Sequence, residues 1–502
     1  MSNYTYIRDE VSTALSRWEL VQDCVTGQER IKHLRTKYLP QPNPLDKSPE
    51  NTTRYDQYVD RAVFFNVTNR TMRGLNGTVF KTDPIFHIHE DMEVIKDDVT
   101  GDGVPLVQQA KKALNYGLMF GRGGLLVDFP STDDDGVSNT LADKEAGYLR
   151  PTVALYEPKQ IINWRTKRIG AKAVLSLVVL KEDYTVDDDG FAPEIKSQWR
   201  ALRLDERNVY VVEIYREGLG MVEIYEPKGA DGQPFNHIPF HFFGAENNDP
   251  EIDDAPLYDL AEINIAHYRN SADYEESVYV VGQPTPYISG LTQNWVDNVL
   301  KGKIQLGARA AVPLPEGGQM ALVQAEPNTL SFEAMGHKED QMIAIGAKII
   351  ERAEAQRTAT EVGAEKDSEN SVLGTVAQNV SAAYTNALLD CTIFLGLPTE
   401  VTEERADGTA EQVDVSFELS TEFDQRNRDG EARRMLVEEW LHGAIAFTEM
   451  REGLREAGVA HLSDEDAKEA IDAAKEEDQK RAIELAQATK PLDDDDDEET
   501  EE

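Results

Sequence analysis

One stretch decides how this chain is expected to fold: residues 256–281, PLYDLAEINIAHYRNSADYEESVYVV. Its length and composition predict a helix, but its apolar residues cover much of the helix circumference. These residues are Leu257, Leu260, Ile263, Ile265, Tyr268, Tyr274 and Val278. A helix that is apolar on several sides is buried on several sides. It is therefore either a core helix of a large domain or a helix flanked by copies of itself, and the residues alone favour the core helix.

Composition predicts a folded, acidic protein with several modules. The chain has 502 residues, of which 40% are hydrophobic, and this is too long for one ordinary domain. Acids outnumber bases by 93 to 51, the net charge is −42, and nine of the last ten residues are acids. Proteins that hold nucleic acid or lie on anionic membranes need the opposite sign. We therefore expect a chain that repels DNA, although solubility alone could also explain the charge.

The cysteines and the apolar runs bear on the compartment. Cys24 and Cys391 lie far apart, and two cysteines are too few for a disulfide scaffold or a thiolate metal site. No signal peptide is recognisable at Met1–Tyr6, and no apolar run approaches the roughly 20 residues that span a bilayer. The expectation is a reducing compartment and no membrane partner.

Periodicity along the chain predicts mixed α and β structure. The stretch 151–245 is rich in β-branched and aromatic residues, which predicts strands, and the stretch 282–328 contains many Pro and Gly residues. Val413–Leu419 alternates as a strand. Helices are predicted over 11–38, 54–75, 105–120, 256–281, 329–355 and 372–397, with two or three more between 426 and 488.

Motifs that carry chemistry are weak in this sequence. Gly121-Arg122-Gly123-Gly124 precedes a strand and lacks the Lys of a phosphate loop, so a turn is predicted. Asp98–Gly103 has calcium-loop spacing, but the twelfth position is Gln109, which favours a solvated turn. His87 and His89 have no further ligands nearby, and a helix-turn-helix drawn through 435–456 is as acidic as basic. We expect no enzyme, no metal and no cofactor.

Three stretches of the chain together resemble tailed-bacteriophage portal proteins, also called head-to-tail connectors. The similarity spans roughly 30–460 and points to a subfamily long described only as phage proteins of unknown function. One stretch is Ile238-Pro239-Phe240 followed by the 256–281 helix, and another is Arg357-Thr358-Ala359-Thr360-Glu361-Val362. The N-terminal stretch comprises Tyr38-Leu39-Pro40, Arg54-Tyr55, Tyr58, Arg61-Ala62-Val63-Phe64-Phe65-Asn66, Thr68, Arg70-Thr71, Gly74-Leu75, Gly77 and Phe80.

The resemblance implies the α+β portal fold, assembled as a ring around a central DNA channel. Its parts would be a wing, two stem helices, a clip, a tunnel loop and a crown. The implied bounds are 1–255 for the N-terminal wing, 256–281 and 329–356 for the stem helices, 282–328 for the clip, 357–371 for the tunnel loop, 372–397 for the helix behind it, 398–425 for a wing strand, 426–490 for the crown and 491–502 for a disordered acidic tail.

The resemblance also implies a function and partners. About twelve copies would form a ring at one capsid vertex of a virion, assembled in the host cytoplasm, through which double-stranded DNA is packaged and ejected. Partners would be the terminase large subunit, a head-tail adaptor, and the major capsid and scaffolding proteins. Residues expected to face DNA in the tunnel loop are Arg357, Thr358, Thr360, Glu361, Lys366, Asp367 and Ser368, and residues expected to dock partners in the clip are Trp295, Lys301, Lys303 and Arg309.

Two other functions remain open from the residues. One is an acidic scaffold or adaptor protein of virion assembly that forms no channel. The other is a hydrolase with paired carboxylates, which would leave no sequence motif among 93 acids.

Overall fold

Helices and strands both contribute to the core, as the predicted α+β class requires. The structure is a computed structural model, and it forms two units, Met1–Thr421 and Glu422–Glu502, each described by itself. The described residues are 3–128, 150–186, 190–229, 232–282, 285–301, 312–323, 329–350, 371–404, 410–421, 437–440, 442, 445–456 and 467–468.

The helices of the first unit cluster near the N-terminus and in the second half of its chain. They are α1 Asp9–Thr26, α2 Gln28–His33, α3 Pro49–Arg61, α4 Val67–Val79, α5 Glu93–Asp97, α6 Leu106–Phe120, α7 Tyr258–Gly282, α8 Gln293–Trp295, α9 Leu330–Lys348 and α10 Val372–Leu395. The described residues of the second unit include the helix α11, Phe447–Glu456.

The strands fall into separate sheets. They are β1 Ile85–His87, β2 Arg122–Asp128, β3 Thr152–Tyr156, β4 Ile161–Ile169, β5 Lys172–Val186, β6 Glu194–Leu204, β7 Tyr210–Arg216, β8 Gly220–Tyr225, β9 Phe240–Gly244, β10 Thr285–Ser289, β11 Gln319–Val323, β12 Glu400–Glu404, β13 Ala410–Asp414 and β14 Ser416–Glu418. All described pairings are antiparallel, with orders β3-β2-β9, β4-β5-β6-β7-β8, β10-β11, β12-β13 and β1-β14.

Two N-terminal helix predictions are wrong in their length. The helix predicted over 11–38 is broken at Gly27, whose φ of 109° is not helical. The helix predicted over 54–75 is two helices, α3 and α4, separated by 62–66. That segment leaves the helical path because the Val63 N–H donates to the Ser271 hydroxyl at 2.9 Å. The Asn66 side chain then caps α4 by accepting from the Asn69 N–H.

The glycine-rich stretch after α6 is mostly strand, which corrects the predicted turn. Only Gly121 turns: its φ is 69°, and it ends α6 in a left-handed conformation. Arg122 to Gly124 already belong to β2. A Cβ on Gly123 would lie 2.1 Å from the Phe243 ring, so glycine is required there for the close approach of β9.

The Arg122 side chain is buried between two aromatic rings. Its guanidinium carbon lies 3.8 Å from the centre of the Trp164 ring and 4.4 Å from that of Phe242. Its side-chain nitrogens have no hydrogen-bond partner among the described residues. Burial lowers the Arg122 pKa to about 9, so the stacked cation is held at a cost in solvation.

The core of the first unit centres on α10. Ser371 caps its start by accepting from the Gly374 N–H, and Gly396 ends it with a φ of 70°. Its fully buried residues include Val376, Val380 and Tyr384, whose hydroxyl donates to Gln109 on α6 at 2.9 Å. The 3, 4, 4 spacing therefore predicted this helix correctly, since its apolar residues pack inward on both α6 and the β9 sheet.

The strand predicted over Val413–Leu419 is two strands with different partners. β13 pairs with β12, whereas β14 pairs with β1. The change occurs at Val415, whose N–H donates to the Thr399 carbonyl at 2.9 Å.

Candidate functional site: the paired helices α7 and α9

Helix α7 is covered along only half of its length by the described chain. Its N-terminal half is buried along one broad face, which includes Leu260, Ile265 and Tyr268. Beyond Ala272 the side chains become half-buried or exposed. Val278, Tyr279 and Val280 are 48%, 46% and 50% exposed. Within the described chain α7 is therefore buried on one broad face of its first half, and the predicted burial on several sides is not reached.

Helix α9 lies antiparallel against α7. The His267 ring nitrogen Nε2 is 3.1 Å from a Glu339 carboxylate oxygen, and the rings of Tyr274 and Phe332 are 5.8 Å apart. Residues near the end of α7 thus lie beside residues near the start of α9, so the two helices form an antiparallel pair that is connected at one end. The chain between them contains the β10–β11 hairpin.

Few residues of α9 are buried by the described chain. Met342 is 1% exposed, but Leu330, Phe332 and Ile343 are 70%, 62% and 69% exposed. These residues and those at the exposed end of α7 are the exposed apolar residues of the helix pair, and they are here together called the stem face: Val278, Tyr279, Val280, Leu330, Phe332 and Ile343. Soluble monomers rarely leave such surfaces uncovered unless they bind a partner.

The N-terminal motif that carries the resemblance lies directly on α7. The Tyr58 hydroxyl donates to Asp273 at 2.6 Å, and Arg61 forms an ion pair with Glu276. The Arg269 side chain donates to the Tyr38 carbonyl at 2.8 Å. These contacts fix the orientation of α7 relative to the N-terminal helices.

A buried polar network continues this contact toward the start of α7. The Asn264 side-chain oxygen accepts from both the N–H and the hydroxyl of Thr68, at 3.2 and 2.9 Å. Its side-chain nitrogen donates to the Phe65 carbonyl at 2.8 Å. Because every polar group of this amide is paired, the network can hold α7 in one register. Sequence reasoning named Phe65 and Thr68 only as motif residues and missed Asn264 as their partner.

The electrostatics of this contact follow from its burial. Burial, and then the hydrogen bond to the Asp273 carboxylate, raise the pKa of Tyr58 far above its usual range. Burial also raises the pKa of Tyr268 to about 12. Both phenols therefore stay neutral at physiological pH and act as hydrogen-bond donors or packing groups.

The predicted tunnel-loop residues fall outside the described part of the chain. This applies to Arg357, Thr358, Thr360, Glu361, Lys366, Asp367 and Ser368, and also to the clip residues Lys303 and Arg309. Two clip residues are described. Trp295 donates its ring N–H to the Pro313 carbonyl at 3.2 Å, and Lys301 is exposed with a left-handed φ of 51°. Their role in docking stays a prediction.

Asp98 and His89, which belong to the weak metal-binding motifs, each contact backbone groups of the protein. Asp98 accepts from the N–H groups of Gly101 and Gly103 at 2.8 Å each, which is the predicted turn. His89 Nε2 lies 2.8 Å from the Pro398 carbonyl. Among the described residues no group of three or more His, Cys, Asp or Glu side chains is placed to hold a metal ion. Within the same ranges no helix has the length and apolarity to cross a membrane.

A buried carboxylate between two histidines was not anticipated from sequence. The Asp390 oxygens lie 2.8 Å from Nε2 of His237 and 2.8 Å from Nε2 of His241. The hydrogen bond to Asp390 raises the pKa of His237, against the lowering effect of burial. Burial acts to raise the pKa of Asp390, but the two histidines outweigh it, and its pKa is lowered. This cluster ties α10 to the strand that precedes α7.

Comparison with known proteins gives matches of limited extent. A family model described as a domain of unknown function, DUF4055, matches residues 256–393, which is less than half of the chain and includes α7, α9 and most of α10. No curated protein matches the chain.

Among solved structures, similar chains come from gene transfer agent (GTA) particles. A chain from the neck of an empty particle with C6 symmetry is 14% identical, with a TM-score of 0.40 and coverage of 80% of this chain and 91% of that one. A chain from the neck of a native particle with C12 symmetry is 14% identical, with a TM-score of 0.38 and coverage of 84% and 98%. A chain from the native virion is 14% identical, with a TM-score of 0.38 and coverage of 79% and 90%. At this identity, and with TM-scores below 0.5, these similarities do not establish a shared fold.

Proposed function

We propose that this chain is a portal protein of a tailed bacteriophage or a related particle, and that about twelve copies form a ring at one capsid vertex. The ring would be the channel through which double-stranded DNA enters and leaves. In this proposal the chain is a conduit without an active site, and the free energy for DNA movement comes from a separate motor.

The observation that carries the proposal is the uncovered stem face. Residues 256–281 have the composition of a helix buried on several sides, yet the described chain covers only the first half of α7. Phe332 and Ile343 on the antiparallel α9 are also more than half exposed. In a ring, each α7–α9 pair would lie between two neighbouring pairs, which would bury these residues without a second protein.

The dimensions of α7 are compatible with a DNA channel. Its 25 residues span about 38 Å at ~1.5 Å per residue. Twelve such helices at roughly 10 Å spacing give a circumference of about 120 Å and a diameter between axes of about 38 Å. Subtracting one helix thickness of about 10 Å leaves a bore of about 28 Å, which admits a duplex with little clearance.

The charge of the chain supports a channel that does not bind DNA tightly. Each copy carries a net charge of −42. Proteins that bind nucleic acid strongly neutralise phosphates with Lys and Arg and release counterions. An acidic wall does the opposite, so that DNA would move in either direction without falling into a deep energy minimum. Arg357 and Lys366 in the predicted tunnel loop would be the bases nearest the duplex.

The β10–β11 hairpin lies in the predicted clip, between α7 and α9. We propose that this part of the chain, with Trp295, Lys301, Lys303 and Arg309, docks the terminase large subunit during packaging and the head-tail adaptor afterwards. Contacts to the major capsid and scaffolding proteins would fall on the wing.

Electron microscopy of the purified full-length chain in negative stain tests the proposal. Annular particles with a central hole would support it. Compact particles without a hole, with the sedimentation mass of one or two chains, would favour the acidic scaffold or adaptor protein and overturn the portal proposal.

A further inference from the structure

Strand β8 is the outer strand of the five-stranded sheet and is exposed along most of its length. Met221, Val222 and Ile224 are 54%, 41% and 54% exposed, and Leu219 in the preceding turn is 69% exposed. An edge strand presents unpaired backbone N–H and C=O groups, and proteins normally protect such an edge from pairing with another chain. An edge with several exposed apolar residues is therefore a candidate contact surface.

The opposite edge of the same sheet is β4, and the N-terminal segment contacts its first half. In the first half of β4, the Arg8 N–H donates to the Ile162 carbonyl at 3.0 Å, and the Arg8 guanidinium donates to the Trp164 carbonyl at 3.0 Å. From Arg165 onward most side chains are exposed, and Ile169 is 43% exposed. Among the described residues no backbone hydrogen bond from outside the sheet reaches 165–169, here called the free part of β4, and this stretch is close in length to the six residues of β8.

The two edges carry opposite charge. The free part of β4 holds three bases, Arg165, Lys167 and Arg168, in a chain where acids outnumber bases almost two to one. The β8 edge and its flanking turns hold three exposed acids, Glu217, Glu223 and Glu226, against one exposed base, Lys228. Two of these charges have contacts within the chain: Lys167 donates to Asn208 at 2.6 Å, and Glu226 pairs with Arg207 at 2.5 Å. Both lie at the surface, where such pairs can exchange partners at little cost.

From these observations we infer that β8 of one copy adds to the free end of β4 of the next copy, head to tail. The inference rests on the proposed ring, because a closed ring needs two different surfaces that meet at every interface. A two-fold dimer through β8 alone would place the Glu223 carboxylates of two copies close together, and like charges across strands are unfavourable. Because the two edges differ in charge, the β8 edge of one copy is attracted to the β4 edge of the next copy instead.

Cysteine cross-linking of the full-length chain tests this contact. Lys167→Cys and Glu223→Cys are made separately and then mixed, with a short bifunctional maleimide as the probe; the native Cys24 and Cys391 are fully buried. The mixture should give covalent dimers and each variant alone should give none, while the double variant should give a ladder of higher species. Lys181→Cys, at an exposed position inside the sheet on β5, replaces Lys167→Cys as the matched control.

The outcomes separate this inference from the proposed function. A ring by native mass spectrometry, with no more dimer in the mixture than in the control, would overturn the edge contact and leave the ring intact. Dimers and a ladder without any ring would support the edge contact and overturn the ring. Absence of both would overturn both.

A charge-reversal series gives a second measure. Glu223→Lys should weaken assembly roughly 2- to 5-fold per contact, and Lys167→Glu in the same chain should restore it. Failure of the double variant to recover would count against the pairing of these two edges.

Discussion

Replacing Ile343 by aspartate should prevent assembly while leaving the single chain folded. Ile343 lies on α9 within the stem face and is 69% exposed in the chain by itself. If neighbouring copies cover it, the substitution removes apolar burial and places a charge in an interface. If nothing covers it, the aspartate is only another surface acid.

The size of the effect follows from that exposure. Complete burial of an Ile side chain is worth about 1.5–3 kcal/mol, so covering the exposed 69% contributes about 1–2 kcal/mol per contact. An uncompensated charge in a buried site costs about 3–5 kcal/mol more. Because each 1.4 kcal/mol is about tenfold, every contact should weaken by roughly a thousandfold or more.

Sedimentation velocity of wild type and Ile343→Asp at equal concentrations measures this effect, with thermal unfolding of the single chain as the folding control. Ile195→Asp is the matched variant, because Ile195 is 63% exposed but lies on β6, away from the stem face. We expect rings from wild type and Ile195→Asp, and single chains that still unfold cooperatively from Ile343→Asp. Rings from Ile343→Asp in wild-type yield would refute the reasoning.

Three further predictions concern the stability of the single chain. Tyr58→Phe should destabilise it by about 1.5–3 kcal/mol, because it removes a 2.6 Å hydrogen bond to the Asp273 carboxylate, and chemical denaturation measures the loss. The melting temperature of His237→Gln should lie furthest below that of wild type at about pH 5.5 and nearest to it at about pH 8.5. Because the pKa of His237 is raised in the folded protein, the protonated imidazole stabilises the fold at pH values below 6.5, its ordinary pKa. This contribution is lost as the pH rises through the pKa of the folded state. The pKa of Asp390 is lowered, so its carboxylate stays charged over this pH range. Arg122→Met should raise the melting temperature, because it removes a buried cation without hydrogen-bond partners among the described residues and keeps an apolar chain between the rings.

Each of these predictions has its own contradicting result. For Tyr58, a loss equal to that of Tyr6→Phe, an exposed tyrosine, would mean that the bond to α7 contributes nothing. For His237, a difference from wild type that does not change with pH would exclude the ion pair as its cause. For Arg122, a clear drop in melting temperature would show that stacking on the rings outweighs the cost of burial.

Periodicity predicted α6 and α10 well, because their apolar residues pack against neighbouring elements of the same chain. α6 and α10 begin and end close to the predicted positions, where capping residues such as Ser371 and Gly121 fix the ends. The helix predicted over 54–75 failed for a tertiary reason. Residues 62–66 have helical spacing, but Ser271 and Gln28 bind their backbone N–H groups and hold the segment extended. No local pattern carries that information.

The candidate site was predictable only in part. The apolar residues around the 256–281 helix predicted burial on several sides. The structure shows that other described parts of the chain cover only the N-terminal half of this helix. The partner residues on 58–68 could not be found from spacing, because they lie some 200 positions away along the chain. The Asp390 cluster was missed for the same reason, since its histidines precede it by about 150 positions.

The central claim is that the stem face is buried against sister copies around a bore. Native mass spectrometry of the purified full-length chain tests it most directly. The account predicts one dominant closed assembly of about twelve chains of 56.2 kDa each, stable to dilution. A chain that remains a single 56.2 kDa species at every protein and salt concentration would contradict it.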